Sequence, residues 1–132
     1  MTTDQIRLVA ARNRPIVSWA AVVLWAGLIF YLSSLPHSAF PSHTITAAKL
    51  VHVFEYSVLT FLLIRALEAQ GFTRRGAASL AAALALVYAA SDEYHQSFVP
   101  HRHPSPVDVV IDAAGIGTVA LLTAFRRRGA LE

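Results

Sequence analysis

The chain has 132 residues, enough for one domain, and 55% of them are apolar while only 14% are charged. That is roughly half the usual charged share of a soluble domain, so a water-soluble bundle would have too little polar surface to cover itself. There are no cysteines, which excludes disulfides and thiolate chemistry. The net charge of +3 comes from short arginine clusters between apolar runs, a membrane-topology pattern that argues against nucleic acid as a partner.

Residues 1–15 are polar and carry Arg7, Arg12 and Arg14; they read as a cytoplasmic N-terminal segment. An uncharged apolar run follows at 16–32 with Trp19, Trp25 and Tyr31, and predicts a first transmembrane helix over about 16–35, before Pro36. A cleavable signal peptide is the rival reading. The run is longer than a usual signal core and no small-x-small cleavage site follows it, so an uncleaved span is expected. Residues 36–44 form a short loop with His37 and His43, in which Ser42 or Thr44 suits the cap of the next helix.

The second span, residues 45–67, would be about 34 Å long. It is unusual in containing Lys49, His52 and Glu55. A polar turn at 68–76 with Gly71, Arg74 and Arg75 leads to an alanine-rich third span over about 76–99, stopped by Pro100. Ala77, Ala81, Ala85 and Ala89 form a ridge of small residues that allows close helix approach. A proline-containing loop then leads to a fourth span at about 107–125, closed by Arg126, Arg127 and Arg128, with a cytoplasmic tail at 127–132. The expected fold is an all-α membrane protein. Its four transmembrane helices, within a domain at 16–126, form a compact antiparallel bundle.

Nine of the eleven basic residues lie in the N-terminal segment, the 65–76 region and the C-terminus; the other two are Lys49 and Arg102. The positive-inside rule therefore places both termini in the cytoplasm. Three spans then deliver their polar residues to the outer side: Lys49, His52, Glu55 and Tyr56; Asp92, Glu93, His95 and Gln96; Asp108 and Asp112.

Each group has a plain structural reading and a functional one. Lys49, His52, Glu55 and Tyr56 share a helical face, with Glu55 about 7–15 Å deep. A carboxylate there needs a partner, and an ion-pair staple with Lys49 or Arg102 would suffice. Asp108 and Asp112 stand one turn apart and call for a cation between them, although Asp108 alone could simply stabilise a helix N-terminus. Asp92, His95 and Gln96 share a face, and solvation of a helix end is the simple alternative. His101 and His103 flank Arg102 in a basic loop tip that suits metal or, more simply, water.

Functionally, Asp92, Glu93 and His95 are the candidate catalytic acid–base groups. Lys49, His52, Tyr56, Gln96, Arg102, Asp108 and Asp112 are candidate substrate-binding residues, with Lys49 and Arg102 on phosphate or carboxylate. His52, Glu55, Asp92 and Asp112 form a candidate metal set, whose mixture would suit Mg²⁺, Mn²⁺ or Zn²⁺ without selecting among them.

Three motifs carry a resemblance: Lys49-x-x-His52-x-x-x-Tyr56-x-x-Leu59, then Ser91-Asp92-Glu93-x-x-Gln96-x-Phe98-x-Pro100-x-Arg102, then Asp108-x-x-x-Asp112-x-x-Gly115. In order and spacing they resemble the VanZ-like family of small membrane proteins, over residues from about 45 to 120. Many members have Asn where this chain has Asp112. The resemblance implies a bacterial cell-envelope setting, since the family is named for a protein associated with resistance to the glycopeptide teicoplanin, but it implies no reaction. The expected partner is a membrane lipid or lipid-linked envelope precursor met at the outer leaflet of the cytoplasmic membrane. Such an amphiphile is either bound or, in the alternative, processed by an intramembrane hydrolase or transferase. Transport is less well suited, because four short helices enclose little volume, although an oligomer would change that.

Overall fold

The computed structural model describes residues 2–36, 45–100, 102 and 105–126, and these form four helices with no strand among them. They are α1 (Thr3–Ser33), α2 (Ile45–Ala69), α3 (Arg74–Gln96) and α4 (Pro106–Phe125). His37, Ser42, His43, Thr44, His101, His103, Arg127 and Arg128 lie outside the described residues.

The first helix starts well ahead of the apolar run. Thr2 and Gln5 form a capping box, in which the Thr2 hydroxyl accepts from the Gln5 N–H and the Gln5 side chain accepts from the Thr2 N–H. Helix formation follows caps and backbone bonding, not hydropathy, so it extends through residues that a polarity pattern reads as a separate segment. Pro15 sits inside α1, where its ring leaves the Ala11 carbonyl without an intrahelical donor. The part long and apolar enough to cross a membrane is Asn13–Ser33.

Two further stretches reach that length and hydropathy, Lys49–Ala69 and Pro106–Phe125. The third helix does not. It is built on alanine, starts at Arg74 and Arg75 and ends in Asp92 and Glu93, so its mean hydropathy is lower. Its strength lies in packing: Ala77, Ala78, Ala81, Ala85 and Ala89 are all buried, forming a smooth strip against its neighbours.

Helix α2 occupies the centre and packs against each of the other three, while α4 packs on α2 and α3 and α1 rests on α2 with a lighter contact to α3. Cross-links fix the directions. Tyr88, Asp92 and His95 of α3 bond in the same order to Ala26, Ser33 and Ser34 at α1, so these two run parallel. At the opposite end Arg74 donates to the Arg126 carbonyl and pairs with Glu68 at 3.5 Å. Successive helices are therefore antiparallel. Gly71, with φ of 96°, ends α2 in the left-handed conformation that glycine adopts without strain.

One helix crossing is unusually tight. A Cβ placed on Gly115 of α4 would stand 2.7 Å from the Val53 carbonyl oxygen and 2.9 Å from Ser57 Oγ. The absence of a side chain there lets α4 lie directly on the α2 backbone.

The surface is the inverse of a soluble bundle. Leu24, Val87, Val110 and Leu122 point outward and are exposed, while Thr60, Asp92, Glu93, Gln96 and Asp112 are buried. Apolar outside and polar inside is the arrangement that suits hydrocarbon as the solvent.

Candidate functional site

The buried polar residues gather at the end of the bundle where α1 and α3 finish and α2 and α4 begin. Asp92, one turn before the end of α3, is 4% exposed and faces α1. Its Oδ2 accepts from Ser33 Oγ at 2.8 Å and from Gln96 Nε2 at 2.9 Å. Beside it, His95 Nε2 shares a hydrogen bond of 3.0 Å with Ser34 Oγ, and its ring lies 4.4 Å from that of Phe30. Asp92, His95 and Gln96 thus share one face, turned toward the C-terminal end of α1.

Glu93 points elsewhere. Its Oε2 accepts from the Ser105 N–H at 2.9 Å, at the residue whose own hydroxyl caps α4. The three candidate acid–base residues are therefore divided: Asp92 and His95 join α3 to α1, and Glu93 joins α3 to the start of α4. Asp108 sits in the first turn of α4, where a carboxylate complements the helix dipole.

On the central helix, His52 Nδ1 approaches Asp112 Oδ1 of α4 at 3.2 Å. The distance is that of an ion pair, yet the alignment is not that of a hydrogen bond, and both atoms remain without a hydrogen-bond partner. His52 thus stands against Asp112 and lies within electrostatic reach of Asp108. The close approach at Gly115, one turn along α4 from Asp112, is what brings these helices near enough for the pair.

Arg102 reaches the end of α1. Its Nε and Nη2 donate at 3.1 Å each to the carbonyls of Leu35 and Leu32. Leu32 is in the last turn of α1, where its carbonyl also accepts from the Leu35 N–H at 3.2 Å, and Leu35 follows the helix; a planar fork reaches both carbonyls at once. Lys49 is half-buried, and among the described residues no acid pairs with it. Glu55 therefore has neither expected staple partner as a salt bridge; its backbone carbonyl accepts from Trp25 Nε1 at 2.9 Å. The four-residue metal set does not assemble either. Among the described residues no three His, Asp or Glu side chains converge in a way that could hold an ion, because Asp92 is turned toward α1 while Asp112 is turned toward α2.

Tyr56 lies at the middle of this arrangement, fully buried, with Asp92, Asp112 and Glu55 within electrostatic reach of its hydroxyl. Among the described residues that hydroxyl has no hydrogen-bond partner. Its ring is 6.3 Å from that of Tyr88, whose own hydroxyl donates to the Ala26 carbonyl at 2.7 Å. Four buried polar atoms at this end are unsatisfied: His52 Nδ1, Tyr56 Oη, Asp92 Oδ1 and Asp112 Oδ1. A fifth, Trp19 Nε1, lies farther back along α1. Tyr56 Oη and Asp92 Oδ1 each cost about 1–3 kcal/mol when left dry, while His52 Nδ1 and Asp112 Oδ1 stand 3.2 Å from one another.

Ser33 and Ser34 had no signal in the motif reading. They end an apolar run, where a pair of small hydroxyl residues looks like a simple helix terminus. Only their placement beside Asp92 and His95 gives them a role. Trp25 was legible only as part of the apolar run at 16–32, and Tyr88 was assigned no role.

An all-helical bundle that is apolar outside and acidic within, with its buried polar groups collected at one end, defines a multi-pass membrane protein with an internal polar site. The chain belongs to the VanZ/LLP1 family, whose model matches residues 12–127. No curated protein and no solved structure matches it.

Proposed function

We propose that this protein binds the polar head of an amphiphile, a membrane lipid or lipid-linked cell-envelope molecule, in the site around Tyr56, Asp92 and Asp112. On this reading the protein lies in the bacterial cytoplasmic membrane. The cytoplasmic flanks are residues 1–15 and 127–132, and the polar end of the bundle opens to the outside. The arginine distribution supports that orientation, and the family name supports a link to glycopeptide resistance of the teicoplanin type.

The observation that carries the reading is the group of four buried polar atoms without hydrogen-bond partners among the described residues, two of them held only in the His52–Asp112 ion pair, set at one end of a bundle whose outer surface is apolar. An acyl or prenyl chain can lie along that surface while the head reaches the polar groups. The test is native mass spectrometry of the full chain, released gently from the membrane, wild type beside Asp92→Asn. A retained lipid mass on the wild type, reduced in the variant, is expected. Bare protein in both samples would overturn the reading.

A second reading, an intramembrane hydrolase or transferase, is favoured by one contact. Asp112 beside His52 is the arrangement in which a carboxylate orients an imidazole for proton transfer. Asp92, Glu93 and His95 would then supply further acid–base groups. Incubation of the wild type with its co-purified lipid distinguishes the two: an enzyme converts the bound mass with time, and a binding protein leaves it unchanged.

A further inference from the structure

The unsatisfied atoms at the polar end have a chemical bias. Asp92 Oδ1 is a carboxylate oxygen on a residue only 4% exposed, whereas Asp112 Oδ1 already stands 3.2 Å from His52 Nδ1. An ionised carboxylate accepts hydrogen bonds and donates none, so what fills the site must donate. The Tyr56 hydroxyl and His52 Nδ1 can serve either way.

Charge points in the same direction. Among the described residues the ion pairs are His52–Asp112 and Arg74–Glu68, and the second is at the opposite end of the bundle. Among the described residues the donors to Asp92 are neutral, Ser33 and Gln96. Glu55 is half-buried, has no salt bridge among the described residues, and lies within electrostatic reach of Asp92, Asp112, His52 and Arg102. Buried acids with so few cations beside them favour a positively charged occupant. The Tyr56 and Tyr88 rings, inclined at 50°, add an aromatic wall of the kind that attracts such a cation.

We propose that the amphiphile's head bears a primary ammonium, whose N–H groups are received by Asp92 and Tyr56. This rests on the binding reading above and narrows it. A bare phosphate brings only acceptors and negative charge. A quaternary ammonium brings the charge but no N–H, and leaves the oxygens unsatisfied. A divalent metal asks for more acidic ligands than the described residues bring together. One turn outward from His52 on α2, Lys49 has no acidic partner among the described residues, which gives a phosphate next to the ammonium its own counter-charge. A phosphoethanolamine-type head is matched at both of its charges.

The experiment is a competition on the full-length protein in mild detergent. Phosphatidylethanolamine, phosphatidylcholine and phosphatidic acid with identical acyl chains are offered at equal concentration, and retained lipid is read by native mass spectrometry. Retention of the ethanolamine lipid over the choline lipid by about tenfold or more is expected, the effect of losing charge-assisted hydrogen bonds. Asp92→Asn and Tyr56→Phe should each reduce that preference. The wild-type panel and Tyr56→Phe decide the matter even if Asp92→Asn proves unstable. Equal retention of the choline lipid, a preference for phosphatidic acid, or variants that keep full selectivity would overturn the ammonium site while leaving amphiphile binding intact. Retention of none of the three would overturn both.

Discussion

Replacing Gly115 with alanine tests whether the α2–α4 crossing positions the site. The new Cβ would meet the Val53 carbonyl oxygen at 2.7 Å and Ser57 Oγ at 2.9 Å. The serine can rotate away, but the carbonyl belongs to the α2 backbone and cannot. Restoring an ordinary contact distance moves α4 off α2 by about half an ångström, enough to forfeit a quarter or more of the dispersion energy along the seam. Overpacking of this kind costs about 1–3 kcal/mol, and the rigid obstacle places this case in the upper half of that range. The shift also lengthens the His52–Asp112 contact from 3.2 Å, since Asp112 is one turn away on the same helix. Gly117 is the matched control: a Cβ there has nothing within 4 Å, so Gly117→Ala should be neutral or slightly stabilising through helix propensity. Reversible unfolding of the purified protein in mixed micelles measures both. If Gly115→Ala unfolds at the same denaturant concentration as Gly117→Ala and retains lipid as the wild type does, the tight crossing does not hold the site together.

Three other outcomes follow from the same contacts. Ser33→Ala removes one of two donors to the buried Asp92 Oδ2 and should destabilise the bundle by about 1–3 kcal/mol, read in the same unfolding assay. Arg102→Ala should raise amide exchange across residues 32–35 by about tenfold through loss of the C-terminal cap on α1, and Arg102→Lys should not restore protection, because one ammonium does not reproduce the fork. For orientation, Ser97→Cys at the polar end should react with an impermeant thiol reagent from outside and Gln70→Cys in the α2–α3 turn should not; both sites are exposed and the native chain has no cysteine to interfere. The reverse labelling would refute the orientation with the polar end outside.

How far the sequence speaks can be seen residue by residue. The spacing of His52, Asp92 and Asp112 along their helices, with arginines at the other helix ends, was enough to gather these acids and the imidazole at one end of a helical bundle. That follows because helix period and hydropathy are local properties of the chain. The alanine ridge of α3 was legible for the same reason, as was the turn at Gly71. The start of α1 was not, because the Thr2–Gln5 cap and a tolerated Pro15 extend the helix beyond the apolar stretch.

What the tertiary structure alone decided is which groups meet. The sequence reading offered Arg102 as a staple for Glu55 or a contact for phosphate or carboxylate. In the folded chain it crosses to the carbonyls of α1. Ser33 had no distinguishing feature until Asp92 was found against it. The metal set failed to assemble because the rotation of α3 sends Asp92 toward α1 while Gly115 draws Asp112 onto α2. Pairing across helices depends on the rotation and depth of each helix against its neighbours. Those are set by side-chain packing summed over the bundle, and no single helix carries that information in its own sequence.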